Sequence, residues 1–81
     1  MARVVPPKKS LFTPRYDRFL ARLKAARVAA GLSQVQAARK LKRPQSFVSK
    51  CESGERRVDV VELIDFCRIY GVEPEKFIKK L

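Results

Sequence analysis

The sequence predicts an all-α protein that folds as a compact bundle of about five helices. Three observations predict this fold class. Apolar residues recur every three or four positions along most of the chain, single glycines stand where these patterns stop, and no segment alternates apolar and polar residues as a strand does. The 81 residues allow one domain with one small core. Burial in a dimer would therefore add stability.

The first fifteen residues differ in composition from the rest of the chain. They hold four basic residues and three of the five prolines, including Pro14, and prolines lack the backbone donor that a helix interior needs. We therefore predict a flexible basic N-terminal arm over residues 1–15 and a folded domain over residues 16–81. The first helix should begin at Tyr16 and end at Gly31.

Two short helices follow, separated by a basic turn. Ser33 and Gln36 have the S-x-x-Q spacing of a capping box, which begins the second helix. Pro44 is tolerated only at the start of the next helix, which we predict from Gln45 to Ser53. The turn between them requires a positive φ at Lys42. The residues predicted to face the core from these helices are Val35, Ala38, Leu41, Val48 and Cys51. This arrangement has the geometry of a helix-turn-helix.

The last two helices are more apolar than the others. Asp59 and Glu62 form a second predicted capping box at the start of the fourth helix, and Gly71 ends it before a short helix that begins near Pro74. Their apolar residues exceed what one small core needs. They are therefore either a two-fold interface or the cover of the core within a single chain. The interface candidates are Ile69, Phe77, Ile78 and Leu81.

The charge is distributed very unevenly. Residues 1–50 contain 13 Lys and Arg and one acid, whereas residues 51–81 contain 6 basic and 7 acidic residues, within a net charge of +11. One-sided positive charge is typical of proteins that bind a polyanion, most often nucleic acid. A purely solubilising role is the simpler alternative, but solubility does not require such asymmetry. The basic arm either contacts DNA as well or has no binding role.

Several classes of protein are excluded by what the chain lacks. It has no histidine, no glycine-rich phosphate loop and no pair of carboxylates in a pocket signature, so we expect neither an enzyme nor a metal or other cofactor. It has no apolar run of membrane-spanning length and no signal peptide, so we expect a cytoplasmic, nucleoid-associated protein without membrane contact. Cys51 and Cys67 are then expected to be reduced core thiols rather than a redox switch.

Three ordered segments resemble a known family. "AGLSQVQAARKL", "PQSFVSKCESGERR" and "VVELIDFCRIYGVEP" are similar to the Cro and phage-repressor, or Xre, type of helix-turn-helix regulator. The resemblance runs from Phe19 to Phe77. It implies a lambda-repressor-like bundle that binds double-stranded DNA, usually as a homodimer, and an ion pair between Arg27 and Glu52. The chain departs from the family at Lys42, where glycine is frequent, and at Pro44, where Ser or Thr often caps the third helix.

The resemblance and the chemistry of the side chains give the same DNA-binding residues. Amides, hydroxyls and amines bond base edges, and the outer side of the third helix carries these groups without a carboxylate. Four residues are expected to contact bases: Gln45, Ser46, Ser49 and Lys50. Five are expected to contact phosphates: Gln34, Arg39, Lys40, Lys42 and Arg43. Phe47 is expected to pack against the second helix, the alternative being a thymine methyl contact.

The sequence predicts a sequence-specific DNA-binding regulator, with repression of a palindromic operator as its mode of action. Two alternatives use the same scaffold. An antitoxin-like module would bind a partner protein such as a toxin, although such a helix usually has an apolar stripe that the third helix lacks. A protein that coats nucleic acid without sequence preference would need only the positive charge.

Overall fold

The computed structural model describes residues 13–81, and within them it contains five helices and no strand. The helices are α1 (Pro14–Ala29), α2 (Gln34–Leu41), α3 (Gln45–Ser53), α4 (Val60–Tyr70) and α5 (Pro74–Ile78). The predicted all-α bundle is confirmed. Most of the predicted N-terminal arm, residues 1–12, lies outside the described residues.

The first helix begins two residues earlier than predicted. Pro14 occupies its first position, where a backbone N–H would have no partner within the helix. The side chain of Thr13 accepts a hydrogen bond from the backbone N–H of Tyr16 at 3.1 Å and caps the helix. The prediction that Pro14 belongs to an extended arm was therefore wrong. At the other end Gly31 has a φ of 75° and ends α1 as predicted.

Local capping groups set the starts of α2 and α4, as the sequence indicates. The hydroxyl of Ser33 accepts from the backbone N–H of Gln36 at 3.1 Å, and the Gln36 side chain accepts from the N–H of Ser33 at 2.8 Å. Asp59 and Glu62 form the same reciprocal pair at 2.8 and 3.1 Å. Each box satisfies two backbone donors that the helix itself cannot satisfy.

The core lies where all five helices meet. α2 packs on α3 and α4, while α1 packs on α3, α4 and α5. The buried apolar residues are Phe19, Leu23, Ala37, Ala38, Phe47, Val48, Cys51, Leu63, Phe66, Cys67, Tyr70 and Phe77. Val35, predicted to face the core, is 46% exposed, and Ala37 is buried in its place. The helix is rotated so that its two adjacent alanines, not the valine, face α3 and α4.

The two cysteines are free thiols inside this core, as predicted. Burial raises the pKa of Cys51 to about 11 and also raises the pKa of Cys67. Both groups are therefore protonated at neutral pH, and neither is a reactive thiolate. Within residues 13–81 no cluster of His, Cys, Asp or Glu is arranged to hold a metal ion.

Candidate nucleic-acid interface

The turn between α2 and α3 brings the two helices together at a fixed angle. Lys42 ends α2 in the left-handed conformation with a φ of 60°, and its N–H donates to the carbonyls of Ala38 and Arg39. The N–H of Arg43 also donates to the Ala38 carbonyl, at 3.0 Å. Ala38 is 2% exposed, so a larger side chain there would separate the helices. Pro44 then begins α3 without a side-chain cap, as predicted.

The outer side of α3 carries the four residues predicted to contact bases. Gln45, Ser46 and Lys50 are exposed and Ser49 is half-buried, while Val48 and Cys51 on the opposite side are fully buried. Glu52 turns away from this surface and is largely buried. The exposed side of α3 thus presents an amide, hydroxyls and an ammonium group without a carboxylate beside them.

Phe47 is a structural residue and is not available to a base. It is 8% exposed, and its ring stacks on Phe66 of α4 with a centroid distance of 5.9 Å and an interplanar angle of 5°. The guanidinium of Arg43 covers the ring at 3.9 Å from its centroid. Phe47 was expected to pack against the second helix; α3 does pack on α2, and the Phe47 ring also joins α3 to α4 by stacking on Phe66.

A second charged cluster joins the loop after α3 to the start of α4. Arg56 donates two hydrogen bonds to Glu62, at 2.7 and 2.8 Å, and Arg43 lies 3.8 Å from the same carboxylate. The hydrogen bonds from Arg56 lower the pKa of Glu62. The charge of Arg43, predicted to contact a phosphate, is thus partly balanced by Glu62. Arg56 was not among the residues predicted from the sequence, although the basic pair that it forms with Arg57 after α3 is a visible signal.

Arg27 and Glu52 are brought together as the resemblance implies. Nε of Arg27 donates to one carboxylate oxygen of Glu52 at 2.6 Å, and Nη2 donates to the other at 3.1 Å. Nη1 donates to the carbonyl of Leu32, in the loop before α2, at 2.9 Å. The two side chains are 11% and 5% exposed. The hydrogen bonds that Arg27 donates to Glu52 raise the pKa of Arg27. One ion pair therefore joins α1, the α1–α2 loop and α3.

Gln34, expected to contact a phosphate, bonds two other residues in the free protein. Its Nε2 donates to Glu52 at 3.1 Å, and its Oε1 accepts a hydrogen bond from Nε2 of Gln45 at 3.0 Å. Gln34 thus connects the buried ion pair to the first residue of α3. The other residues expected to contact phosphates, Arg39, Lys40 and Lys42, are exposed around the α2–α3 turn.

The residues expected at a two-fold interface do not all reach the surface. Phe77 is 3% exposed and contacts Phe19 edge to face, so it belongs to the core of the single chain, as in the alternative interpretation. Ile69 and Leu81 are half-buried against that core, and Ile78 is 56% exposed. Three exposed apolar residues of α4 were not among the predicted interface residues. They are Val60, Val61 and Ile64.

Known proteins share both the sequence pattern and the fold. Residues 18–77 match the model of a helix-turn-helix domain family. A solved structure, described as an XRE-family like protein from Pseudomonas syringae pv. tomato str. DC3000, has 49% sequence identity and a TM-score of 0.80. The similarity covers 89% of this chain and 88% of that chain. The chain belongs to the XRE family of helix-turn-helix proteins. A comparison with curated proteins gave no match.

Membership of the XRE family has two consequences for this chain. The family is non-enzymatic, so the chain is not an enzyme. The helix-turn-helix domain implies DNA binding. Over residues 13–81, no helix combines the length and apolar character needed to cross a bilayer.

Proposed function

We propose that this XRE-family protein is a sequence-specific transcriptional repressor that binds a palindromic operator as a homodimer. The observation that carries the proposal is the outer side of α3, where Gln45, Ser46, Ser49 and Lys50 stand together on a helix fixed from behind. A helix of this kind fits the major groove, where each base pair presents a distinct set of donors and acceptors. Occupying the operator is sufficient for repression.

Gln45 and Lys50 are proposed as the main specificity residues. A glutamine amide can donate to N7 of adenine and accept from its N6 amino group, while a lysine ammonium donates to O6 or N7 of guanine. The hydroxyls of Ser46 and Ser49 can bond either bases or phosphates. An A·T pair opposite Gln45 and a G·C pair opposite Lys50 are therefore expected in each half-site.

The phosphate contacts are proposed to come from the basic residues around the α2–α3 turn. Arg39, Lys40, Lys42 and Arg43 surround the start of α3, and Gln34 keeps one amide N–H for a phosphate. Such contacts fix the position of the protein on the duplex but carry little sequence information. Each one releases counterions, so it contributes to the salt dependence of binding.

Fluorescence anisotropy with single base-pair changes in a selected duplex tests these two classes of contact. Gln45→Ala and Lys50→Ala should each abolish the preference for one base pair, whereas Arg39→Ala should weaken binding to all duplexes and reduce the salt slope by about 1. Lys76→Ala is the matched control, because Lys76 is an exposed residue of α5, which packs on α1 and α4. Equal effects of all four changes would contradict the proposal.

The homodimer is proposed to form through apolar residues near the C-terminal end. Ile78 is exposed and Ile69 and Leu81 are half-buried, so a two-fold contact could cover all three. Two recognition helices would then lie about 34 Å apart, one turn of DNA. Sedimentation of the protein with its operator should give two chains per duplex without a one-chain complex. After Ile78→Asp the two half-sites should fill independently, so that duplexes with one chain are populated at intermediate protein concentration. A monomer on the intact operator would exclude the dimer.

A protein-binding role on the same scaffold is the second candidate. The exposed side of α4 favours it, since Val60, Val61 and Ile64 are 69%, 64% and 50% exposed. An antitoxin with this surface would bind a partner protein there and DNA through α3. Co-purification from the native host, compared between the wild-type protein and Val61→Asp, tests it. A protein retained by both forms would not be bound by this surface.

A further inference from the structure

A continuous set of hydrogen bonds joins the buried ion pair to the surface of α3. Arg27 donates to Glu52, Glu52 accepts from Gln34, and Gln34 accepts from Gln45. The exposure rises along this series, from largely buried Glu52 through half-buried Gln34 to exposed Gln45. The interior of the protein is thus in direct polar contact with a residue at the start of α3.

The chemistry of Glu52 determines which way round each amide lies. An ionised carboxylate only accepts hydrogen bonds, so the Gln34 amide must turn its NH₂ group towards Glu52. The carbonyl oxygen of Gln34 then faces Gln45, and the only matching group on Gln45 is its NH₂. The opposite orientation of either amide would place two acceptors or two donors against each other.

The fixed orientation decides what Gln45 can offer to DNA. One N–H of Gln45 is used by Gln34, which leaves its carbonyl oxygen and its second N–H free on the exposed side. These two groups form the edge that pairs with adenine, donating to N7 and accepting from the N6 amino group. An inverted amide would exchange the two positions and place an acceptor where adenine N7 also accepts.

We propose that Glu52 is a positioning residue for base recognition, setting through Gln34 the donor and acceptor order that Gln45 presents to an adenine. This inference rests on the proposed function of Gln45 as a base contact. Glu52 itself touches no DNA in this account. The negative charge of Glu52, paired with Arg27, orients the neutral amides of Gln34 and Gln45, which would otherwise sample both orientations. Both amides are therefore oriented before DNA binds.

The double change R27M/E52L tests the proposal because it removes the acceptor of Gln34 without leaving a buried charge. The single change Glu52→Gln would not serve. Oε1 of Glu52 accepts from both Nη2 of Arg27 and Nε2 of Gln34, so a glutamine oxygen at that position would keep the orientation of Gln34. Without any acceptor at position 52, the amides of Gln34 and Gln45 are free to invert. The preference for A·T over other base pairs at the Gln45 position is expected to fall by about 5- to 150-fold.

The measurement is the ratio of Kd values for two duplexes that differ at one base pair, determined by fluorescence anisotropy. Gln45→Ala first identifies the base pair concerned. If the wild-type protein has no base preference, or Gln45→Ala changes none, the proposed function fails. If Gln45→Ala abolishes a preference that R27M/E52L leaves intact, the positioning role alone is refuted.

Two further variants separate positioning from loss of stability. Cys67→Ala removes buried atoms of α4, away from these hydrogen bonds, and should leave the ratio unchanged. If it lowers the ratio as R27M/E52L does, the positioning role is refuted. Adding Q34E to R27M/E52L places an acceptor-only carboxylate beside Gln45, which restores the wild-type orientation of the Gln45 amide. The ratio should recover although the added charge weakens binding to every duplex, and no recovery would overturn the proposal.

If R27M/E52L does not fold, Gln34→Leu provides the test with the ion pair intact. It removes both hydrogen bonds of Gln34, so the Gln45 amide becomes free to invert. The base preference should then fall towards that of Gln45→Ala. An unchanged preference in the folded Gln34→Leu variant would refute the proposal.

Discussion

Glu52→Ala is expected to lower the free energy of unfolding by about 3–5 kcal/mol, because it leaves a buried guanidinium without its carboxylate. The carboxylate of Glu52 accepts three hydrogen bonds, two from Arg27 and one from Gln34. After the change, Arg27 keeps only its bond to the carbonyl of Leu32. Water cannot easily replace the lost acceptor, since the Arg27 side chain is only 11% exposed.

The magnitude follows from the geometry of the pair. A hydrogen bond to a charged group contributes about 1.5–3 kcal/mol, and two such bonds from Arg27 are lost together. In a domain of this length 1 kcal/mol corresponds to about 4–8 °C in Tm. A loss of 3 kcal/mol or more therefore lowers the Tm by at least about 12 °C. Replacing both partners, as in R27M/E52L, should recover most of this loss because no charge remains buried.

Urea unfolding followed by circular dichroism measures the effect, with the m-value checking that the unfolded state is unchanged. Asp65→Ala is the matched control, because Asp65 pairs with Arg68 at 3.1 Å on the surface, where the side chains are 45% and 64% exposed. It should cost no more than about 1 kcal/mol. If Glu52→Ala destabilises the protein no more than Asp65→Ala, the buried ion pair does not stabilise this fold.

Three further outcomes follow from the geometry. The hydrogen bonds from Arg56 lower the pKa of Glu62 in the folded state, so the stabilisation is present above the unfolded pKa of 4.5 and is lost as the pH falls through the lower folded pKa. The unfolding free energies of Glu62→Gln and wild type should therefore differ at pH 7 and converge as the pH falls through that lower pKa. A difference that stays constant with pH would contradict this. Lys42→Gly should raise the unfolding free energy by about 1 kcal/mol in urea titrations, because glycine relieves the strain of a φ of 60°, whereas no gain would mean that the strain is negligible. Cys51, with its pKa raised to about 11, should not react with a disulfide reagent at pH 8 until urea unfolds the protein.

The parts of the fold that follow from short-range interactions were predictable from the sequence. Capping boxes at Ser33 and Asp59 involve residues three positions apart, and Gly54 and Gly71 end their helices through their own backbone conformation. Such signals do not depend on which helix packs against which. The ends of α2, α3 and α4 could therefore be located without knowledge of the tertiary structure.

The parts that depend on packing between helices were less predictable. The rotation of α2 buries Ala37 rather than Val35, since a helix of two turns has no long apolar pattern to fix its inner side. The stacking of Phe47 on Phe66 joins residues that are distant in sequence. The same holds for Gln34 of α2, whose bonds to Glu52 and Gln45 form only after α2 and α3 meet.

The residue composition of the candidate DNA-binding surface was predictable from the sequence, but the hydrogen bonds that orient its side-chain amides were not. The polar character of α3 and the basic residues beside it follow from the sequence, and the structure places them around one turn. The sequence alone gives no indication that the Gln45 amide is already engaged before DNA arrives. Orientation of an amide depends on its partners, and those partners are set by the fold.

Selection of bound duplexes from a random DNA pool, at near-physiological salt, tests most directly whether this protein recognises a DNA sequence. The account predicts enrichment of an inverted repeat with half-sites one helical turn apart. Each half-site should contain an A·T pair whose enrichment disappears with Gln45→Ala and a G·C pair whose enrichment disappears with Lys50→Ala. A pool that stays random, with binding that weakens steeply as salt rises, would mean that the protein contacts phosphates alone and would contradict the account.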